Sequence, residues 1–170
     1  FTRELYIDRN DFNEDTTLSR KKFKRLVIGE YVRLRSGYVI RADEVLKDAT
    51  GEIIELICSY IPGTVGQDPP EGVRPRGVIH WVSATNSVDC DLYCYEKLFT
   101  VAAPDAGEES FIDHLNPDSL QIIKQCKAEL GLAGAEVGQH FQFEREGYYA
   151  VDAKHSSPGK LVFNRTIALR

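Results

Sequence analysis

Cysteine is scarce in this chain, and its few copies are badly spaced for a scaffold. Four occur in 170 residues (Cys58, Cys90, Cys94 and Cys126), and only Cys90 and Cys94 are close, at C-x3-C with no second pair to answer them. Zinc sites repeat short C-x2-4-C or H-x3-5-H spacings, so neither a metal cage nor a disulfide framework is expected. Reduced, structural thiols fit a cytoplasmic protein. No apolar run approaches the ~20 residues of a membrane span, and no charged-then-apolar leader opens the chain, so a soluble protein with no membrane partner is expected. Nucleotide and hydrolase signatures are also missing: there is no G-x-x-x-x-G-K-[ST] loop, no G-x-G-x-x-G and no G-x-S-x-G elbow. Asp152, His155 and Ser156 have the composition of a nucleophilic triad, but they crowd into one polar loop, whereas triads are assembled from distant parts of a fold. His80 lies in an apolar run beside Trp81 and reads as a core histidine. The residues alone give no catalytic group and no metal ligand.

What the chain does contain is β structure and a local excess of positive charge. Hydrophobic residues make up 42% and aromatics 10%, which is enough for a folded core in one domain or two small barrels. Short runs rich in β-branched and aromatic residues recur between turn signals. Val32-Arg33-Leu34-Arg35 passes through Ser36-Gly37 into Tyr38-Val39-Ile40, a hairpin; Asp48-Ala49-Thr50-Gly51 marks the next turn. Further strands are expected at Leu5–Ile7, Ile53–Tyr60, Val78–Ser83, Leu92–Tyr95, Phe141–Arg145, Tyr148–Val151 and Leu161–Phe163. Ser110–Leu115 is a short amphipathic helical signal, and Ser119–Leu130 suits a helix or a strand.

Net charge is −5, yet between residues 20 and 41 lie Arg20, Lys21, Lys22, Lys24, Arg25, Arg33, Arg35 and Arg41, with Glu30 the only acid. A basic face on an acidic body suits a focused polyanion site, or a solvated face beside an acidic neighbour. Alternation in a strand puts Arg33 and Arg35 on one side and Val32 and Leu34 on the other. Two adjacent guanidiniums need acceptors, and none stands nearby in sequence. Unpaired RNA would supply planar acceptors and stacking faces, with Phe23 among the neighbouring lysines. A salt-bridged surface strand, or a barrel docking an acidic protein partner, would use the same residues.

Six segments carry a more specific signal. Tyr6-Ile7-Asp8-Arg9-x-Asp11-Phe12, Lys24-Arg25-Leu26-Val27-x-Gly29 and Val32-Arg33-Leu34-Arg35 come first. Gly77-Val78-Ile79-His80-Trp81-Val82-Ser83, Phe141-Gln142-Phe143-Glu144-Arg145-Glu146-Gly147-Tyr148 and Val162-Phe163-Asn164-Arg165-Thr166 follow. In this order, across essentially the whole chain, they resemble the C-terminal anticodon-binding region of bacterial-type glutaminyl-tRNA synthetases. The archaeal and eukaryotic-type glutamyl-tRNA synthetases share the Ile-His-Trp-like strand; the run from Phe141 to Tyr148 favours the glutamine enzymes.

The resemblance implies an all-β fold of two β-barrels related to a ribosomal-protein fold, with few short helices. Residues 22–100 would form the distal barrel, and 1–21 with 101–170 a discontinuous proximal one. It implies tRNA as partner, with the three anticodon bases of glutamine tRNA read individually. Lys24 and Arg25 match cations at the third base, Arg33 and Arg35 the pair at the first, and Gln142 and Arg145 the group around the middle base. Lys22 stands where the family has Gln, and a phosphate contact is expected of it. An arginine that the family uses upstream has no counterpart here. Asn164-Arg165-Thr166 is a candidate junction toward the rest of the enzyme. HIGH-like and KMSKS-like motifs do not occur, so ATP, magnesium and the catalytic domain belong to the remainder of a monomeric parent chain, and this segment has no cofactor of its own.

Overall fold

The structure, a computed structural model, describes residues 1–169. It divides into two compact units, Phe1–Thr85 and a second beginning at Asn86. In the first unit the strands are β1 (Leu5–Tyr6), β2 (Phe12–Asn13), β3 (Leu26–Val27), β4 (Tyr31–Leu34), β5 (Val39–Lys47), β6 (Ile53–Ile61), β7 (Val78–Ile79) and β8 (Val82–Ser83). Alternation organises them. Val32 and Leu34 on β4 are fully buried, and they pack with Phe12, Leu26, Ile40, Ala42 and Ile79 into one core. Arg33, between the two, is left on the opposite side of the strand.

The main sheet runs β6-β5-β4-β7, with β7 parallel to β4 and the other pairs antiparallel. Its two expected turns form. Between β4 and β5 the Leu34 amide donates to the Tyr38 carbonyl at 2.9 Å and the Gly37 amide to the Leu34 carbonyl at 2.8 Å. Between β5 and β6 the Asp48 carboxylate accepts the Thr50 amide at 2.8 Å and the Glu52 amide at 3.0 Å, and Gly51 takes a φ of 91°. Residue type signalled both turns, although the left-handed position in the first is taken by Ser36, at a φ of 53°, and not by Gly37.

The second unit holds β9 (Ser87–Tyr95), β10 (Leu120–Glu129), β11 (His140–Phe143), β12 (Gly147–Val151) and β13 (Leu161–Ala168), hydrogen-bonded in the order β10-β9-β13-β12-β11. Phe143 stacks on Tyr149 with ring centroids 4.5 Å apart, and Phe163 meets Phe143 edge-on at 5.2 Å. Ser119–Leu130 resolves as strand β10 because β9 pairs with it along its length. A bulge interrupts that pairing: Gln125 takes a φ of 59°, and its amide turns to the Asp91 carboxylate at 3.1 Å. The Ser110 signal yields only a 3-10 turn, Phe111–His114, capped by the Ser110 hydroxyl.

The class is all-β, as expected, but closed barrels do not form. The four-stranded sheet ends at β6 and β7, and the five-stranded one at β10 and β11. Closure needs a continuous ladder. In the first unit β2, β3, β7 and β8 have two residues each, and the expected strand Val78–Ser83 breaks at His80-Trp81. The boundaries implied by the resemblance, 21/22 and 100/101, both fall inside paired regions: β2 pairs with β3 across the first, and β9 with β10 and β13 across the second. Among the described residues no helix is long and apolar enough to cross a membrane.

One glycine in the second unit is fixed by close approach. A Cβ on Gly147 would lie 2.5 Å from the Ile167 carbonyl oxygen. Gly147→Ala is therefore expected to destabilise the second unit by about 1–3 kcal/mol, read as a lower urea midpoint at unchanged slope. An unchanged midpoint would show that β12 and β13 can separate at no cost.

Candidate nucleic-acid interface

The basic segment separates in the structure into cations that are neutralised and cations that are not. Arg20 pairs with Glu30, Arg41 with Asp43 at 2.6 Å, and Arg25 with the fully buried Asp11 at 3.1 Å. Lys21, Lys22 and Lys24 are exposed and make no ion pair among the described residues. They sit on one tight turn, where the amides of Lys22 and Phe23 both donate to the Ser19 carbonyl at 3.0 Å. On a chain of net charge −5, this turn carries a concentrated, uncompensated positive potential.

Arg25 leads from that turn into β3. Its Nη1 donates to the Asn10 carbonyl at 2.9 Å while Nε faces the Asp11 carboxylate. The guanidinium is thus held at two of its three nitrogens, and Nη2 makes no hydrogen bond among the described residues. A planar group fixed this way is pre-oriented for a flat, bidentate partner.

Arg33 and Arg35 do not behave as a pair. Arg33 is half-buried, and its guanidinium donates to the carbonyls of Thr64 and, at 2.7 Å, Gln67. The acceptors absent nearby in sequence are supplied by a loop more than thirty residues further on. Arg35 is exposed and lies at the hairpin turn, one residue past the end of β4. Its backbone is fixed on both sides: the amide donates to the Ile79 carbonyl at 2.9 Å, and the carbonyl accepts Trp81 Nε1 at 2.9 Å. Trp81 therefore holds the hairpin.

In the second unit Gln142 is exposed on β11, between Phe141 and Phe143, which turn toward the core. It lies opposite Tyr148 in the β11–β12 pairing. Arg145 was expected on the strand, but the strand ends at Phe143. Arg145 sits instead within the turn 144–146 at a φ of 74°, closed by the Glu146 amide donating to the Phe143 carbonyl at 2.9 Å. A non-glycine residue there carries backbone strain of about 1–3 kcal/mol.

The Asp152 loop is structural. Asp152 Oδ1 accepts the Lys154 amide at 2.8 Å and the His155 amide at 2.5 Å, and lies 3.0 Å from His155 Nδ1; Oδ2 accepts Asn164 Nδ2 at 2.6 Å. Burial pushes this carboxyl up, but the hydrogen bonds from Asn164, the two amides and the imidazole outweigh it and hold the pKa at about 2. Ser156 Oγ both donates to the Val162 carbonyl and accepts its amide at 3.1 Å, so it clamps the loop onto β13. The hydroxyl is committed to the backbone, and no triad forms. Neighbouring Arg165 pairs with Glu96 at 2.8 Å, and the Thr166 hydroxyl donates to the Tyr148 carbonyl at 3.0 Å. Among the described residues no group of three or more His, Cys, Asp or Glu could hold a metal.

Two family profiles match the chain, both described as the anticodon-binding domain of class I tRNA synthetases (E and Q). They cover residues 1–61 and 78–152. The glutamine–tRNA ligases of Ectopseudomonas mendocina (strain ymp) and of Pseudomonas putida are each 54% identical to it, and that of Azotobacter vinelandii is 50% identical. Each alignment covers 100% of this chain and 30% of the relative, so the chain spans under a third of the proteins it matches. The chain belongs to the anticodon-binding family of the class I glutamate and glutamine tRNA synthetases, on the side of the glutamine–tRNA ligases.

Proposed function

We propose that this chain reads the anticodon of glutamine tRNA for a glutamine–tRNA ligase. The observation that carries this reading is the turn at residues 19–24, where three lysines stand exposed and unpaired on an acidic chain of this family. Lys24 and Arg25 read the third anticodon base, Arg25 through its unengaged Nη2 and Lys24 as a mobile point charge. Arg35 reads the first base from the hairpin tip. Arg33, which donates from both terminal nitrogens to Thr64 and Gln67, shapes the loop beside it. Gln142 suits the middle base, because an amide can both donate to and accept from uracil, and Arg145 stands in the adjoining turn. Lys22 contacts phosphate. Attachment of glutamine, with its ATP and magnesium, is work for the catalytic domain of the parent ligase, a cytoplasmic monomer in this reading.

Titration of the chain with glutamine and glutamate tRNA anticodon stem-loops at several salt concentrations tests this. A preference for the glutamine stem-loop that persists as salt rises supports base reading; equal affinities at every salt concentration refute it. Lys22→Ala should weaken both stem-loops alike and flatten the plot of log affinity against log salt by about one unit. A selective loss for one stem-loop would instead make Lys22 a base reader.

A further inference from the structure

The turn that carries the free lysines is not self-supporting. Among the described residues Ser19 alone closes it from within, its carbonyl accepting the Lys22 and Phe23 amides and its hydroxyl the Lys22 amide at 3.4 Å. Its outer ends are gripped by one side chain from a distant loop, Arg76. Arg76 Nε donates to the Phe23 carbonyl at 3.1 Å, and Nη2 donates to the Leu18 carbonyl at 2.6 Å. The arginine is 7% exposed, and its own amide is tied to the Tyr31 carbonyl of β4 at 2.8 Å. The next residue, Gly77, packs so tightly that an added Cβ would lie 2.2 Å from the Lys24 carbonyl oxygen. Two residues earlier, the Arg74 carbonyl accepts Arg20 Nη1 at 2.7 Å. The segment 74–77 is thus a strap that touches the turn at Leu18, Arg20, Phe23 and Lys24.

We infer that Arg76 is a positioning residue for recognition of the third anticodon base: it sets where Lys24 and Arg25 stand, without touching RNA itself. This rests on the anticodon reading above. Arg76 is too deeply placed to meet a ligand, and its acceptors are both backbone carbonyls. A fork-shaped donor bridging the two ends of a short turn fixes its span, as a single-point donor does not. The bridge ends one residue before Lys24 and two before Arg25. The strap's backbone also pairs with β4, where the Gly77 carbonyl accepts the Arg33 amide at 2.9 Å, but the Arg76 guanidinium does not reach the hairpin, whose tip at Arg35 is held by Ile79 and Trp81. Loss of the bridge should therefore show at one base and spare another.

The test is Arg76→Gln in the full 170-residue chain, with its melting transition recorded. Affinities are measured for the cognate anticodon stem-loop and for stem-loops changed at the first or the third base. The ratio of cognate to third-base-changed affinity should fall roughly tenfold or more, with the first-base ratio kept within about twofold. Amide exchange at Lys22 and Phe23 should quicken while β4 keeps its protection. Arg76→Lys, which can still reach one carbonyl, should restore part of the third-base ratio. Gly77→Ala supplies a second route, displacing the Lys24 backbone with Arg76 intact, and should lower the third-base ratio as well. An intact third-base ratio in either folded variant would overturn the inference. So would a uniform fall in both ratios of Arg76→Gln that tracks lost stability, which marks a merely structural role. If the wild-type chain shows no base preference at all, the anticodon reading fails first, and this inference with it.

Discussion

Arg25→Ala should lose roughly 1–3 kcal/mol of binding to the cognate stem-loop, with discrimination relaxed at the third base alone. The same change should also destabilise the first unit, which sequence gives no reason to expect. Asp11 is fully buried, and Arg25 is a cation that faces it. Removing the Arg25 side of this ion pair weakens the compensation of a buried charge; because the Arg25 side chain is 39% exposed, about 1–3 kcal/mol is a reasonable loss. The two effects separate in the double variant Arg25→Ala/Asp11→Asn. Neutralising Asp11 should recover much of the stability and none of the base discrimination. Recovery of both would mean that Arg25 acts on RNA only by keeping the fold in order.

Asp152→Asn should destabilise the second unit in a pH-dependent way. The folded carboxyl titrates at about 2, against an ordinary value of 3.8. A depressed acid stabilises the fold above its unfolded pKa, and that contribution is lost as pH falls through the folded one. Here the full contribution, about 2 kcal/mol, is present at neutral pH and drains away between about pH 4 and pH 2. Urea unfolding of the wild type and Asp152→Asn at pH 7 and pH 3 measures it. The stability gap should be wide at pH 7 and narrower at pH 3, because the wild type alone loses the ionised form. A gap of constant width would place the effect in shape or amide geometry, not in the charge. Since Asp152 also ties the loop to Asn164, the acid-sensitive step should expose the Ser156–Val162 clamp early.

Local chemistry made much of the fold legible. The burial of Val32 and Leu34 opposite Arg33 follows from alternation, and the turns at Ser36-Gly37 and Asp48–Gly51 follow from residues that tolerate or stabilise them. What stayed hidden is long-range. Arg33 reads as a free cation until the Thr64–Gln67 loop folds back onto it. Arg25 reads as a ligand-facing charge until Asp11 is buried beneath it. Ser119–Leu130 could not be decided from its own periodicity, because its partner strand determines its state. Arg76 lies in a stretch notable in sequence only for proline and glycine. The available sign was two arginines flanking Pro75 directly before an apolar strand, and it points to no particular acceptor. The barrels that the strand pattern and the resemblance implied do not close, because two-residue strands do not continue the ladder around the sheet.

The central claim is that the 19–25 segment lies against the third anticodon base. A stem-loop of the glutamine anticodon carrying a photoreactive base at that position, irradiated on the chain and mapped by peptide mass spectrometry, tests it most directly. The account predicts adducts within residues 20–25, suppressed by unlabelled cognate stem-loop. Adducts confined to residues beyond 85, or a yield that the competitor leaves unchanged, would contradict it.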